Sequence, residues 1–179
     1  RIASIPEGML GYIAAHGDPS VSVDYLKKMT GELITDEDVL SKMTKSMDLM
    51  KEAKIGTIAG GGNLLPDEDA SLRYLFITEV QPTSVFRSAM KLIGEGLEYE
   101  TAGIKIKQTY EPDAEKLDGK AVDILRTEQT MPKGLDPTGM QEAIQKKFYG
   151  PNGIEQRVLT TSDLMYQSIG GGLDAMKSL

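Results

Sequence analysis

His16 is the only imidazole in the chain, and Asp18, Ser20, Ser22 and Asp24 follow it closely. Any Ser-His-Asp triad would have to use His16 as its base. The Gly-x-Ser-x-Gly elbow that presents a serine nucleophile is missing. The favoured reading is therefore a turn histidine beside a helix cap. Catalysis without histidine, by a serine-lysine or carboxylate pair, stays open as the alternative.

Two triple glycines come next. Gly60-Gly61-Gly62 leads to Leu64-Leu65-Pro66, which does not start a helix. Gly170-Gly171-Gly172 does precede one, so its amides could hold an anion. Neither is followed by the Gly-Lys-Ser/Thr of a phosphate loop. For both, the plainer reading is a strand exit. Acidic runs at Asp67-Glu68-Asp69 and Asp113-Ala114-Glu115-Lys116-Leu117-Asp118 lack the alternating ligands and bend glycine of a calcium loop. They read as solvated loops. Met43, Met47 and Met50 recur on one side of a helix, with Met29 and Met90 elsewhere. Thioethers there suit copper(I), a groove for an apolar ligand, or simple packing on a sheet. Packing is preferred, and no cofactor or metal is expected.

Charge and composition narrow the classes further. The net charge is -7, from 27 acidic and 20 basic residues, and no basic run exists. A groove that follows phosphates needs clustered Lys and Arg, so nucleic acid is disfavoured as a partner. Cysteine is absent, which removes disulfides and thiolate chemistry. No apolar run reaches the ~20 residues of a membrane helix. The chain opens on Arg1, which suggests a fragment of a longer protein from which a targeting segment has been removed.

Elements must hold these residues in place. The clearest is a helix over Thr35–Lys54. Val39, Leu40, Met43, Met47 and Met50 form its apolar stripe. Thr35 is expected to cap it, with Asp38 as the acidic half of a capping box. Met9–Ala15 reads as a buried strand. Asp18 and Pro19 then open a helix with Val21, Tyr25, Leu26 and Met29 on its apolar side, ending at Gly31. The two helices would form a hairpin.

Ile55–Ala59 is a short strand, and Pro66–Ser71 is an acidic loop. Leu72–Val80, apolar on both faces, reads as a central strand. Ser84–Ile93 is a helix closed by Gly94 and Gly96. Tyr99–Tyr110 alternates as one half-wet strand. Asp118-Gly119 turns it into Lys120–Glu128. Asp136 and Pro137 begin a helix carrying Met140, Ile144 and Phe148 and stopping at Gly150. Ile154–Thr160 and Leu164–Ile169 form a second hairpin around Ser162-Asp163, and Leu173–Leu179 is a last helix. The whole is one α+β domain, a mainly antiparallel sheet with helices mostly on one face.

The strand ends before Pro19 and Pro82, and the two triple glycines, echo each other and raise an internal duplication. Proline starting helices and glycine leaving strands explains the same echo. The order strand, x-Pro, amphipathic helix, two-stranded excursion, Phe148-Tyr149-Gly150-Pro151-Asn152-Gly153 and a glycine-ended strand resembles repeat units of large, uncharacterised bacterial envelope proteins. The Ile5-Pro6-Glu7 opening is similar too. That resemblance implies an extracytoplasmic fragment, periplasmic or secreted, without assigned chemistry. The expectation is a non-enzymatic binding or interaction module for an unknown protein or small apolar ligand. The alternatives are an apolar-ligand carrier at Met43, Met47 and Met50, or a hydrolase using carboxylates or Ser with Lys.

Overall fold

The computed structural model describes residues 9–16, 19–65, 71–132, 134–177 and 179. Its frame is one eight-stranded sheet. The strands are β1 (Gly11–Ala15), β2 (Lys54–Leu64), β3 (Leu72–Gln81), β4 (Leu97–Thr101), β5 (Ile104–Leu117), β6 (Lys120–Thr130), β7 (Ile154–Thr160) and β8 (Leu164–Ile169). They lie in the order β1-β2-β3-β8-β7-β6-β5-β4, each antiparallel to its neighbours. The α+β expectation holds.

The helices are α1 (Pro19–Leu33), α2 (Glu37–Glu52), α3 (Thr83–Gly94), α4 (Met140–Tyr149) and α5 (Gly172–Met176). α3 carries the tightest packing on the sheet. Phe86 and Met90 meet Val80, Leu125, Val158 and Met165 in one buried cluster. Burying each such side chain contributes about 1.5–3 kcal/mol. α2 lies on α3 and reaches β4. There Val39, with Leu40 and Met43 packed beside it, meets Leu97. α1 packs on α2, so the hairpin forms as expected, and it is outermost. The opposite face of the sheet holds a smaller cluster of Val122 and Leu159 under Met176 of α5.

Several boundaries differ from the sequence reading, each for a physical reason. Asp36, not Thr35, caps α2. Its carboxylate accepts from the amides of Asp38 and Val39 at 3.0 and 3.1 Å. A carboxylate reaches these amides and also meets the positive helix end. α1 runs past Gly31 to Leu33, because an exposed helical glycine is merely unfavourable, not a stop. Met9–Ala15 shortens to an edge strand, exposed along its length rather than buried. The segment Tyr99–Tyr110 is two strands, turning at Ala102-Gly103 with Ala102 at φ 51°.

β2 runs straight through the first triple glycine instead of ending at it. Gly60 pairs with Phe76 and Gly62 with Tyr74. A Cβ on Gly60 would sit 2.2 Å from the Phe76 ring, and one on Gly62 2.8 Å from the Tyr74 ring. The glycines are there so that two rings can lie across the strand. The second triple is a different structure, with Gly170, Gly171 and Gly172 all left-handed. At the glycines, then, the echo between the halves has no structural counterpart.

α4 begins at Met140 behind a left-handed Gly139, not at Pro137. Asp136 still serves that helix end, since its carboxylate accepts from the amide of Glu142 at 3.0 Å. Met140 and Ile144 stay exposed, so α4 does not cover the core as its spacing suggests. α5 stops at Met176. The caps and loops assigned to Asp18 and to Pro66–Ala70 lie outside the described residues.

Candidate interaction surface

His16 is exposed, and its Nδ1 lies 3.4 Å from the Thr57 hydroxyl. Asp18 and the side chains of Ser20 and Ser22 lie outside what is described. Asp24 pairs with Lys51 on α2. The described part of the proposed triad is therefore not brought together.

The methionine stripe faces the interior of the helical layer. Met43 packs on the α2–β4 cluster and Met50 on the α3 cluster, while Met47 is half-buried. The glycines 170–172 form a tight wrap after β8. A Cβ at Gly170 would meet the Leu72 carbonyl at 2.1 Å, and one at Gly171 the Arg73 guanidinium nitrogen at 2.3 Å. Their left-handed angles lead the chain over Arg73 into α5, conformations that suit glycine alone. The Asp113–Asp118 run is part of β5 and its turn, not a loop. Among the described residues no group of three acidic or histidine side chains could hold a metal ion.

Two ionic networks escaped the sequence reading, because their members meet only across strands. On the face away from α3, Arg126 pairs with Glu111 and Glu155. Arg157 joins Glu115 at 2.9 and 3.0 Å and Glu155 at 3.3 Å. Although burial opposes it, the two arginines hold the Glu155 carboxyl below the usual range. On the α3 face, Asp123 is 2% exposed. It accepts from Tyr110 Oη at 2.5 Å, Arg87 Nε at 2.8 Å, Arg87 Nη2 at 2.7 Å and the Asp113 amide at 2.9 Å. Arg87 also reaches Asp113 at 2.9 Å. This buried carboxylate is fully occupied as an acceptor and serves to tie α3 to β5 and β6.

Burial, then the bond to Asp123, pushes the Tyr110 hydroxyl from the ordinary 10.0 up to about 12. A phenol with a raised folded value stabilises fully below pH 10, and that share is lost as pH rises towards 12. Wild type should therefore lose more stability than Tyr110→Phe between those pH values. Urea titrations at a series of alkaline pH values read the difference, and parallel curves would refute it.

A polar cleft of about 530 Å³ opens between α4 and the ends of β6 and β7, beside Gln129, Gln145 and Tyr149. A shallower apolar groove of about 440 Å³ lies across β1, β2 and β3, over Ile13, Gly61, Gly62, Tyr74 and Phe76. The Tyr74 and Phe76 rings stack there, with centroids 6.2 Å apart.

α1 is the least ordinary element. It packs on α2, with the pairs Asp24–Lys51 and Lys27–Asp48 between them; Val23 on α1 is buried, and Ile34, just past its end, clusters with Val39 of α2. Tyr25, Leu26, Met29 and Leu33 are 63, 49, 38 and 55% exposed. At 100° per residue these four form one continuous stripe beside the docked side. An amphipathic helix normally buries such a stripe, and this one points it at solvent. The sequence shows the stripe. Asp24 and Lys27 lie on the other side, facing Lys51 and Asp48 of α2, and so the stripe points outward.

No protein-family model matches this chain, and no curated protein or solved structure matches it significantly.

Proposed function

We propose that this chain is a non-enzymatic binding module that grips another protein through the apolar stripe of α1. One observation supports this above the rest. The pairs Asp24–Lys51 and Lys27–Asp48 tie α1 to α2, and Tyr25, Leu26, Met29 and Leu33 stay in water. A contiguous exposed apolar patch of this kind marks an interaction site more often than decoration. A partner helix laid along α1 would meet anchors at Tyr25, Met29 and Leu33, one turn apart. The resemblance to envelope-protein repeats supports placing the module outside the cytoplasm as part of a larger protein.

A display selection of random amphipathic peptides against the immobilised chain tests this. Selected peptides should bind the wild type and lose about tenfold or more in affinity, 1.4 kcal/mol or above, against the double variant Leu26→Glu, Leu33→Glu. The variant should melt within a degree or two of wild type, since surface changes rarely exceed ~0.5 kcal/mol. Binders indifferent to the substitutions, or a variant that unfolds, would remove the stripe from consideration. Turnover in a hydrolase screen that one polar substitution abolishes would favour the enzymatic reading instead.

A further inference from the structure

We infer that the polar cleft beside α4 is a binding site for a neutral saccharide. This goes beyond the α1 reading and uses a different surface.

The cleft is built by the fold itself. Its volume of about 530 Å³ lies within the ~300–1,000 Å³ of small-molecule sites. It is lined by α4, by the end of β6 and by the turn Gly150-Pro151-Asn152-Gly153. Gly150 and Gly153 have φ of 90° and 80°, values that suit glycine. A Cβ on Gly153 would stand 2.6 Å from the Thr127 carbonyl, so the turn is seated directly on β6.

Charge narrows the ligand. Arg126 and Lys146 line the cleft, but Glu155 holds Arg126 at 2.7 Å together with Glu111, and Glu142 holds Lys146 at 2.8 Å. Glu128 adds a negative charge. A phosphate or carboxylate therefore finds no cation to spare.

The groups left over bond in both senses. Gln145 Nε2 donates to Gln129 Oε1 at 2.7 Å. Whichever way round the two amides sit, they keep one carbonyl and one amino group for a ligand. The main chain of Gln129 adds another such pair. At the far end of β7, the Thr161 amide donates to the Leu164 carbonyl at 2.8 Å, which turns the main chain of Thr161 to β8. By alternation Gln156 and Ile154 turn theirs to β6, opposite Leu125 and Thr127. Gln129, two residues on, turns the same way, where β7 has ended and the cleft opens. A sugar hydroxyl both donates and accepts, so neighbouring hydroxyls match these carbonyl and N–H pairs. Asn152 brings a further, exposed amide, and Tyr149 a half-buried ring suited to the C–H face of a pyranose. A peptide strand fits less well. Past the ladder β6 runs on only from Glu128 to Thr130, short of the usual ~5–6 residues.

Chemical-shift titration of the backbone amides of the whole chain reads the outcome. The probes are cellobiose, maltose, lactose and di-N-acetylchitobiose, with glucuronate and inorganic phosphate beside them. At least one neutral disaccharide should saturate shifts at Gln129, Gln145, Tyr149 and Asn152. Its dissociation constant should be roughly 0.01–3 mM and indifferent to salt. Gln145→Leu and Asn152→Ala should each weaken it about fivefold or more, and Tyr149→Ala about tenfold, while Tyr149→Phe stays within about threefold of wild type. Asn152 is in an exposed turn, so its variant keeps the test if Gln145→Leu unfolds. Neutral disaccharides that leave these amides unmoved at about 20 mM overturn the proposal. So does phosphate or glucuronate binding there more tightly, or a folded Tyr149→Ala that binds as wild type does. Peptides that shift these amides when no sugar does make the cleft a peptide groove and overturn it as well. The double variant Leu26→Glu, Leu33→Glu should bind the sugar unchanged, so this site and the α1 surface stand or fall separately.

Discussion

Asp123→Ala should lower the unfolding free energy by about 3–5 kcal/mol, the cost of stripping one partner from a buried charge pair. The residue is 2% exposed, and its carboxylate accepts four hydrogen bonds. Its removal leaves the Tyr110 hydroxyl and the Asp113 amide without their acceptor, and the Arg87 guanidinium with Asp113 alone. Arg87 is 36% exposed, so it can turn to water, and that places the effect near the lower end. Asp113 adds to it. At φ 54° it sits in the left-handed region, at the register shift between Glu111 and Glu115. Asp123 holds that amide in place, so the irregular stretch of β5 should loosen as well. Asp123→Asn keeps an acceptor and loses the charge, and should cost about half as much. Urea denaturation measures both. Typical domains hold only about 5–15 kcal/mol, so the alanine variant should shift the midpoint far enough to be unmistakable. A loss under about 1 kcal/mol would show that the network is peripheral.

The second large effect is a glycine-to-alanine change that reverses its usual sign. In a helix the substitution ordinarily stabilises by about 1 kcal/mol. Gly31 in α1 has nothing within 4 Å of where a Cβ would be. Gly31→Ala should therefore gain about 0.5–1 kcal/mol. Gly94 ends α3 directly against β5. A Cβ there would stand 2.0 Å from Tyr110 Cβ and 2.7 Å from its backbone nitrogen. Backbone cannot step aside as a side-chain tip can. Gly94→Ala should cost about 2–3 kcal/mol through overpacking, and it should disturb Tyr110, the phenol that holds Asp123. Thermal melts of the two variants should move in opposite directions. Equal shifts would contradict the packing described for α3.

The two predictions meet at the same place, the seat of α3 on β5 and β6, and that seat was hidden in the sequence. Arg87, Tyr110, Asp113 and Asp123 lie on three elements and follow no local spacing. By contrast, the hairpin from Ile154 to Ile169 and the Asp118-Gly119 turn were legible to the residue, because a turn imposes its own chemistry. Both turn residues adopt positive φ, 49° and 79°. Ala102-Gly103 makes a similar turn with an alanine at φ 51°, a residue that announces nothing, and so two strands read as one. The helix α2 was clear from its stripe. Its cap was misplaced by one residue, as neighbouring Thr35 and Asp36 both qualify. Gly60-Gly61-Gly62 looked like an exit because glycine in a strand is explained only by what crosses it, here Phe76 and Tyr74. At the candidate surface, the residues of α1 were legible as apolar but their direction was not. Burial is decided by the partner, and β1, expected inside, is at the rim for the same reason.

The strand order has one more implication. β8 stands between β3 and β7, pairing Tyr74 with Ile169 on one side and Gln156 with Ile169 on the other. Strands β1 to β3 form one ladder and β4 to β7 another, and β8 alone joins them. The contacts that close the sheet are thus among the most distant in sequence, the kind that slow a folding reaction. On a ribosome, β3 must wait with an unpaired edge until nearly all of the residues up to Ile169 have emerged.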